Sequence, residues 1–575
     1  MSDTKQDVLD MLRELTELTL LDEGDPQSFR VRAYENAAVS IAAQATDLGR
    51  LSARELQKIQ GVGKSTAEKI LELLSTGKVQ KLEALRQKYP RSLVALLRIQ
   101  GLGPKAVIRL QRELGVTSLD DLKRVIAEHK LRDLKGFGPK SEEKLAQSLA
   151  RLEQQGALGR SPISVALPHA ERLVAELLGV PCVERAAYCG SLRRFSETIG
   201  DIDIVVVSSE PERVMQAVVE LPQVERVIAR GESKTSVVTQ RGIQVDVRVV
   251  AEHQLGAALL YFTGSKAHNV KLRMRALARG LTLNEYALSE LEGGKVVASE
   301  TEEEIYRALG LPFIPPVLRE DTGEIEAAEQ GLLPRPIGVI GGDFHVHTSL
   351  SGDGRSTLEE MVAEARARGY SVLAITDHAE GTLPGVGREA LLEQREQVRT
   401  MNEKLGGELR LLHGVELNIG PEGDLDFDPE FRRSFDYCLA SVHSHFELDR
   451  ATQTRRIVRA MQDPSVRMIG HLTARMIGGR PPIDLDIPAV LDAAEATETA
   501  LEVNGALPRL DVSVDVLRQA AGRRITFVLT SDAHDTRELR LVEYAAKNVE
   551  RAGLDPDRVA NTWARARMQE WLARS

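Results

Sequence analysis

Residues 189–207 read CGSLRRFSETIGDIDIVVV, and residues 245–250 read VDVRVV. Side chains two apart on a strand share a face, so Asp201 and Asp203 project together and Asp246, on a second β-rich run, can join them. Three carboxylates placed in this way can hold two Mg²⁺ or Mn²⁺ ions about 4 Å apart for in-line phosphoryl transfer. A lone Asp-x-Asp is a common surface pattern. Here it follows a Gly190-Ser191 turn and the pair Arg193-Arg194. Together these supply backbone N–H groups, a hydroxyl and a guanidinium suited to triphosphate oxygens.

Upstream of this stretch, residues 1 to about 155 are helical in period and contain three related segments: IQGVGKSTAEKI from Ile59, IQGLGPKAVIRL from Ile99 and LKGFGPKSEEKL from Leu134. Each is a tight Gly-apolar-Gly turn followed by a helix with a lysine near its start. The turns place Gly61, Gly63, Gly101, Gly103, Gly136 and Gly138, with Lys105 and Lys140, where free helix-start N–H groups can meet DNA phosphates without reading sequence. The whole chain carries a formal charge of -10, yet residues 51–160 hold 22 basic against 12 acidic side chains. That local surplus is the footprint of a phosphate backbone, although a solvated helical surface would give the same count.

Downstream, residues 160–310 alternate helices with β-rich runs. Residues 313–340 mix prolines, glycines and charges and read as a linker, so the regions on either side are expected to fold around separate cores. From residue 343 short apolar strands such as SVLAIT, LLHGVEL, YCLASVH and ITFVLT alternate with helices, the rhythm of an α/β barrel. Eight of the chain's 12 histidines lie between His345 and His534. They recur at apparent strand ends with acids beside them: His345 and His347, Asp353, His378, Glu416, His443, His471, Asp532 and His534. In a βα barrel such positions converge on one mouth. Nine mixed imidazole and carboxylate donors suffice for two or three ions of Mn²⁺, Zn²⁺ or Fe²⁺. His413 and His445 receive no role and read as core or rim.

The palm motifs, together with YFTGSKAHN (261–269) and LNEYAL (283–288), resemble the X-family DNA polymerases, of which mammalian DNA polymerase beta is a member. The resemblance implies that Gly190, Ser191 and Arg194 bind the phosphates of an incoming deoxynucleoside triphosphate. It implies that Tyr261, Phe262 and Gly264 lie against its sugar, and that Asn269 and Arg273 contact the minor-groove edge of the nascent pair and template. Lys266 stands where the mammalian enzyme has an aspartate; its cation could lie over the base or pair with a phosphate. FRVRAYENAAVSI and GVGKSTAEKI look like the family's lyase domain, with Lys69 at the position of the Schiff-base lysine, but Ala84 stands where the mammalian protein has a lysine. The histidine set matches the polymerase and histidinol phosphatase (PHP) domain appended to bacterial and archaeal members, except for one extra residue before Asp353 in HVHTSLSGDG.

These readings divide the chain into five parts: a lyase-like helical DNA-binding domain (1–90), a helix-hairpin-helix region (91–158), an α/β nucleotidyltransferase palm with its thumb and nascent-pair subdomain (159–312), the linker (313–340), and a distorted (β/α)7 PHP barrel (341–575). The function implied is gap-filling DNA synthesis in repair combined with 3′-5′ exonuclease action, with abasic-site cleavage or lyase activity as a further implication. The partners are gapped or primer-template DNA and deoxynucleoside triphosphates. A nuclease that keeps the palm only to hold DNA, or a DNA-end scaffold with structural metals, would not need the complete acid set. No apolar stretch is long enough to span a bilayer, and Cys182, Cys189 and Cys438 are too few for a disulfide framework. A monomeric cytoplasmic enzyme is expected.

Overall fold

The structure, a computed structural model, describes residues 4–24, 28–42, 51–59, 61–89, 91–98, 102–134, 137–138, 141–143, 145–146, 160–382 and 385–573. It divides into two compact units: Met1–Arg160 with Lys266–Ala278, and Ser161–Ser265 with Arg279–Ser575. Among the described residues no helix is long and apolar enough to cross a membrane.

The first unit is helical. The helix Thr4–Glu23 buries Val8, Leu12, Leu15 and Leu18, which recur at helical spacing, in a cluster that continues through Ile70, Leu85 and Leu110 to Leu145. One apolar core therefore runs through both the lyase-like and the helix-hairpin-helix segments. Arg86 fixes the helix Gln80–Lys88 to the first helix by donating to both carboxylate oxygens of Glu14, at 2.8 and 2.6 Å.

The second unit opens with a five-stranded mixed sheet in the order Arg185–Tyr188, Asp201–Val207, Gln244–Val250, Lys234–Thr239, Val224–Arg230. Ile202, Ile204 and Val206 face the helices Ile163–Leu178 and Pro211–Glu220, while Val205 and Val207 pack with Cys189, Val250 and Ala258 on the other side. Asp201 and Asp203 share the face of Val205 and Val207, toward the helix Leu255–Thr263. A small antiparallel sheet (Leu281–Leu283, Leu288–Glu290, Val296–Ala298) and the helix Glu302–Ala308 complete the thumb.

Seven parallel strands follow in sequential order: Gly342–Val346, Val372–Ile375, Arg410–Asn418, Tyr437–Ser441, Val466–Ile469, Ala500–Asn504 and Phe527–Thr530. A parallel bridge between Val346 and Ala533 ties the last segment to the first, giving a nearly closed (β/α)7 barrel. Phe344, Ala374, Leu412, Leu439, Met468, Ala500 and Val528 pack with Trp571 in one cluster, and Val346, Leu373, Val415, Ala440 and Leu501 lie in another. Burial on both faces explains why the strands read as continuous apolar runs.

The palm core differs from the sequence expectation because it is not separate. Leu507, Leu510 and Tyr544 of the barrel, and Val317 from the stretch read as a linker, belong to the same apolar cluster as Ile163, Ile202 and Val245. That stretch carries the helix Glu324–Glu329 and a fully buried Arg319. Proline-rich composition marks where regular structure breaks, and here the chain between breaks is packed.

Candidate active sites

In the palm, parallel pairing sets Asp203 directly opposite Asp246, with Asp201 opposite Gln244. Gln244 donates Nε2 to Asp246 Oδ1 at 3.0 Å, and Lys234 Nζ lies 2.9 Å from Asp246 Oδ2. Burial acts against ionisation of Asp246, but these partners hold its carboxyl below the usual range. Asp203 is pushed up to about 7, first by burial and then by the negative charges of Asp201 and Asp246. Carboxylates crowded in this way fit divalent cations, which would relieve the repulsion. Gly190 has φ +63, and a Cβ there would lie 2.6 Å from Asp203 Oδ2. The turn can approach the carboxylate only because this residue is glycine.

Ser191 follows in a short helical turn, half-buried. Arg193 is committed to structure: it donates to both oxygens of buried Glu302, at 3.1 and 2.6 Å, and to Thr263 Oγ1 at 2.7 Å, while Arg319 Nη1 completes the Glu302 carboxylate at 2.6 Å. Arg194 donates Nε to Glu320 at 3.0 Å and Nη1 to the Thr263 carbonyl at 2.5 Å. Tyr261 is exposed, and Phe262 lies beneath the Arg248 guanidinium at 4.9 Å; both precede Gly264, which caps the helix with φ +68. Lys266, Asn269 and Arg273 line one face of the helix Lys266–Leu277, which belongs to the helical unit.

At the barrel mouth all nine expected donors lie in one cluster. His347 Nε2 is 3.1 Å from His345 Nε2 and 3.3 Å from Asp532 Oδ1. Glu416 is central, with His378 Nδ1 at 2.7 Å, His471 Nε2 at 3.0 Å and His443 Nε2 at 3.3 Å from its oxygens. Asp353 Oδ2 is 3.3 Å from both His378 Nε2 and His534 Nε2. The extra residue before Asp353 is absorbed in a loop that buried Asp377 holds from Thr348 and Ser351, whose hydroxyls donate to it at 2.7 and 2.6 Å. Burial first, and then the charge of neighbouring His378, pushes His347 down to about 4, so its imidazole is neutral and presents a lone pair. Three subsets (His345, His347 and Asp532; His347, His378 and His534; His378, Glu416 and His443) bring their donor atoms within 4.8 Å of one another. The donor chemistry and this convergence fit divalent metal ions.

Sequence reading missed the residues that orient these donors. Glu502 is fully buried, accepts from Thr530 Oγ1 at 2.7 Å and lies 2.6 Å from His345 Nδ1, which fixes that ring with Nε2 toward the cluster. It sits in LEVN on the strand Ala500–Asn504, an acid on an otherwise apolar strand, and that is the signal that could have found it. His413 is buried and stacked on Phe435 at 5.0 Å, away from the donor set, while His445 is on the rim.

In the helical unit, Gly63 and Gly103 cap the helices Lys64–Thr76 and Pro104–Leu114 in extended conformation with no side-chain cap. Thr66 and Ala106 donate their N–H groups to the Gly63 and Gly103 carbonyls at 3.1 and 2.9 Å, and Pro104 has none, so among the described residues the N–H groups of Lys64, Ser65 and Lys105 remain for an outside acceptor. Gly61 has φ +81, and a Cβ there would press on the Asn36 backbone at 3.2 Å. Lys105 is exposed in the first turn of its helix. Half-buried Lys69 donates to Ser65 Oγ at 2.7 Å and sits 5.8 Å from the Tyr34 ring centroid; burial holds its ammonium below the ordinary lysine range. Gly138 accepts from the N–H of Ser141 at 2.9 Å, whereas Gly101, Gly136 and Lys140 lie outside the described residues.

Fold and site together define a nucleotidyltransferase-type palm joined to a PHP-type barrel in one unit, and helix-hairpin-helix elements in the other. Family models agree segment by segment: a helix-hairpin-helix domain matches residues 3–79, a SAM-like helix-hairpin-helix tandem 93–151, the DNA polymerase beta thumb 258–320 and the PHP domain 343–506. The chain is 34% identical to the DNA polymerase/3′-5′ exonuclease PolX of Bacillus subtilis over 539 residues, covering 93% of each. It is 31% identical over 230 residues to a probable phosphatase of Thermoanaerobacter sp. (strain X514), covering 38% of this chain and 89% of the relative. Over 301 residues it is 26% identical to DNA polymerase lambda of Rattus norvegicus, covering 47% and 49%. The chain belongs to the PHP-bearing X-family DNA polymerases of which PolX is a member.

Proposed function

We propose that this protein fills gaps in damaged DNA at the palm and shortens 3′ ends at the barrel mouth. The single observation that carries the reading is the coexistence, in one chain, of the register-matched pair Asp203 and Asp246 beside Asp201 with a nine-donor cluster at a separate barrel mouth. The PolX relative is named for both activities.

In the palm, Asp201, Asp203 and Asp246 would hold Mg²⁺ or Mn²⁺, because all their donors are carboxylate oxygens. Bound there, the cations would lower the pKa of a primer 3′-hydroxyl and brace the leaving phosphates. The N–H groups at Gly190 and Ser191, with the Arg194 guanidinium, orient the triphosphate. Tyr261, Phe262 and Gly264 shape the sugar site, and Lys266, Asn269 and Arg273 meet base and template. Lys234 would release Asp246 as cations and primer arrive.

The barrel donors, mostly imidazole, suit two or three Mn²⁺, Zn²⁺ or Fe²⁺ ions, which would activate water and neutralise a scissile phosphate. The helix-start N–H groups after Gly63 and Gly103, with Lys105, would grip the DNA backbone without regard to sequence. We infer a monomer working in the cytoplasm, where thiols such as the three free cysteines stay reduced. Lys69, with its depressed basicity, favours a second reading in which it forms an imine at an incised abasic site.

A labelled primer on gapped DNA, incubated with and without deoxynucleotides in Mg²⁺ or Mn²⁺, tests the main reading: extension should appear with nucleotides and shortening without them. Absence of either activity removes the corresponding half of the proposal. Borohydride trapping on an incised abasic substrate, lost in Lys69→Ala, tests the lyase reading.

A further inference from the structure

The turn that carries Ser191 and Arg194 is held from outside the palm. Phe195, immediately after Arg194, adopts φ +59, a conformation that residues bearing a Cβ rarely take, and it is 2% exposed. Its ring packs on Tyr544 at 5.5 Å between centroids, with Lys547 Nζ 5.3 Å from its centroid, and its carbonyl accepts from Arg551 Nη1 at 2.8 Å. All three partners lie on the barrel helix Val542–Ala552. The other nitrogen of that arginine, Nη2, lies 3.8 Å from Glu320 Oε1, the same oxygen that accepts from Arg194 Nε at 3.0 Å. A second tie lies a few residues on: Glu197 forms a paired contact with barrel residue Arg475, at 2.8 and 3.2 Å, and Arg475 also donates Nε to the Arg509 carbonyl at 2.9 Å.

We propose that Arg551 is a positioning residue for the polymerase reaction: from the barrel it seats the strained Phe195 turn and shares the Glu320 carboxylate, so that Arg194 faces the nucleotide triphosphate with its charge available. This role rests on the reading of Arg194 as a phosphate-binding residue. With Nε on Glu320 and Nη1 on the Thr263 carbonyl, Arg194 keeps Nη2, without a hydrogen-bond partner among the described residues, for an anion. Two guanidiniums on one carboxylate leave net positive charge at this corner. Removing Arg551 would let Glu320 neutralise Arg194 and would free the left-handed turn to relax away from its seat.

The experiment is steady-state extension of gapped DNA by the full-length protein bearing Arg551→Met, Arg551→Lys, Arg194→Ala, or Arg194→Ala with Arg551→Met. Arg551→Met should raise KM for the incoming nucleotide about tenfold and change kcat less than about threefold, with shortening in the absence of nucleotides unchanged. Arg551→Lys, which keeps a cation and a donor, should recover part of the KM. Adding Arg551→Met to Arg194→Ala should raise KM no further. An unchanged KM in both Arg551 variants, or additive effects in the double variant, overturns the proposal. If Arg194→Ala itself leaves KM unchanged, the phosphate-binding reading is what has failed. If Arg551→Met proves unstable, Arg551→Lys and the double-variant comparison made with Arg551→Gln decide the matter in the same way.

Discussion

The palm and the barrel mouth both gather acidic side chains, but they are built on opposite plans. In the palm three carboxylates come from two neighbouring strands, and one register match, Asp203 against Asp246, creates the site. At the barrel mouth nine donors come from the ends of six strands, and the seventh, Ala500–Asn504, supplies Glu502 to hold His345 in place. A sparse site has no substitute for a lost ligand and depends on close backbone approach. A crowded site depends on the second layer that keeps its rings aligned. Single substitutions should therefore act on the two sites in different ways.

The largest single-residue effect should come from the palm. Gly190→Ala drives a Cβ to 2.6 Å from Asp203 Oδ2 at a φ of +63, so turn and carboxylate must part. Displacement on the order of 1 Å in a reacting geometry costs roughly a hundredfold, and single-turnover extension should fall by about that factor while shortening is kept. Extension within about threefold of the parent would show that the turn does not need the close approach.

Glu502→Gln should act on the barrel alone. Outer-layer partners of metal-bound histidines contribute about 10- to 100-fold to metal affinity or activity, so metal retained after dialysis and the rate of shortening should both drop within that range. Full retention of metal by elemental analysis would mean that His345 needs no orienting carboxylate.

Lys105→Glu should weaken DNA binding several-fold, equally for unrelated sequences, and reduce the salt slope by about one to two phosphate contacts. Anisotropy titrations over a range of salt would expose any sequence-selective loss.

The smallest effect concerns pH. Burial first, and then the nearby Arg395 charge, pushes His413 down to about 4. Its unfolded value is near the ordinary 6.5, so protons bind the unfolded chain preferentially between those limits. Its contribution is fully present above about pH 6.5 and is lost as pH falls toward 4, about 2 kcal/mol by pH 5. In denaturant titrations, His413→Phe, which can keep the stack on Phe435, should lose less stability than the parent between pH 7 and 5. Equal losses would remove His413 as the cause.

Much of this was legible in the sequence. Alternation in DIDIVVV placed two aspartates on one strand face, and acids and histidines after apolar runs marked strand ends of a barrel, because both signals are local and periodic. Three features were not legible. The palm shares its core with Leu507, Leu510 and Tyr544, and nothing in the local pattern of an apolar residue says which surface it will meet. Phe195 occupies a left-handed turn that composition would assign to glycine, and only the barrel helix packed on it explains its presence. The loop before Asp353 reaches the cluster despite its extra residue because Asp377, hidden beside His378 in TDH, anchors it by hydrogen bonds that spacing alone does not reveal.

The two candidate sites, although they share one packed unit, should work separately. His345→Ala with His347→Ala removes two buried imidazoles from the mouth, and Asp201→Ala with Asp203→Ala and Asp246→Ala removes the three carboxylates of the palm site. None of these residues lies in the shared palm-barrel core. On one labelled gapped substrate, the histidine variant should lose shortening by roughly a thousandfold or more and keep extension near the parent rate, and the aspartate variant should do the reverse. Loss of both activities together in either variant, with metal content reduced only at the altered site, would show that the two sites do not work separately.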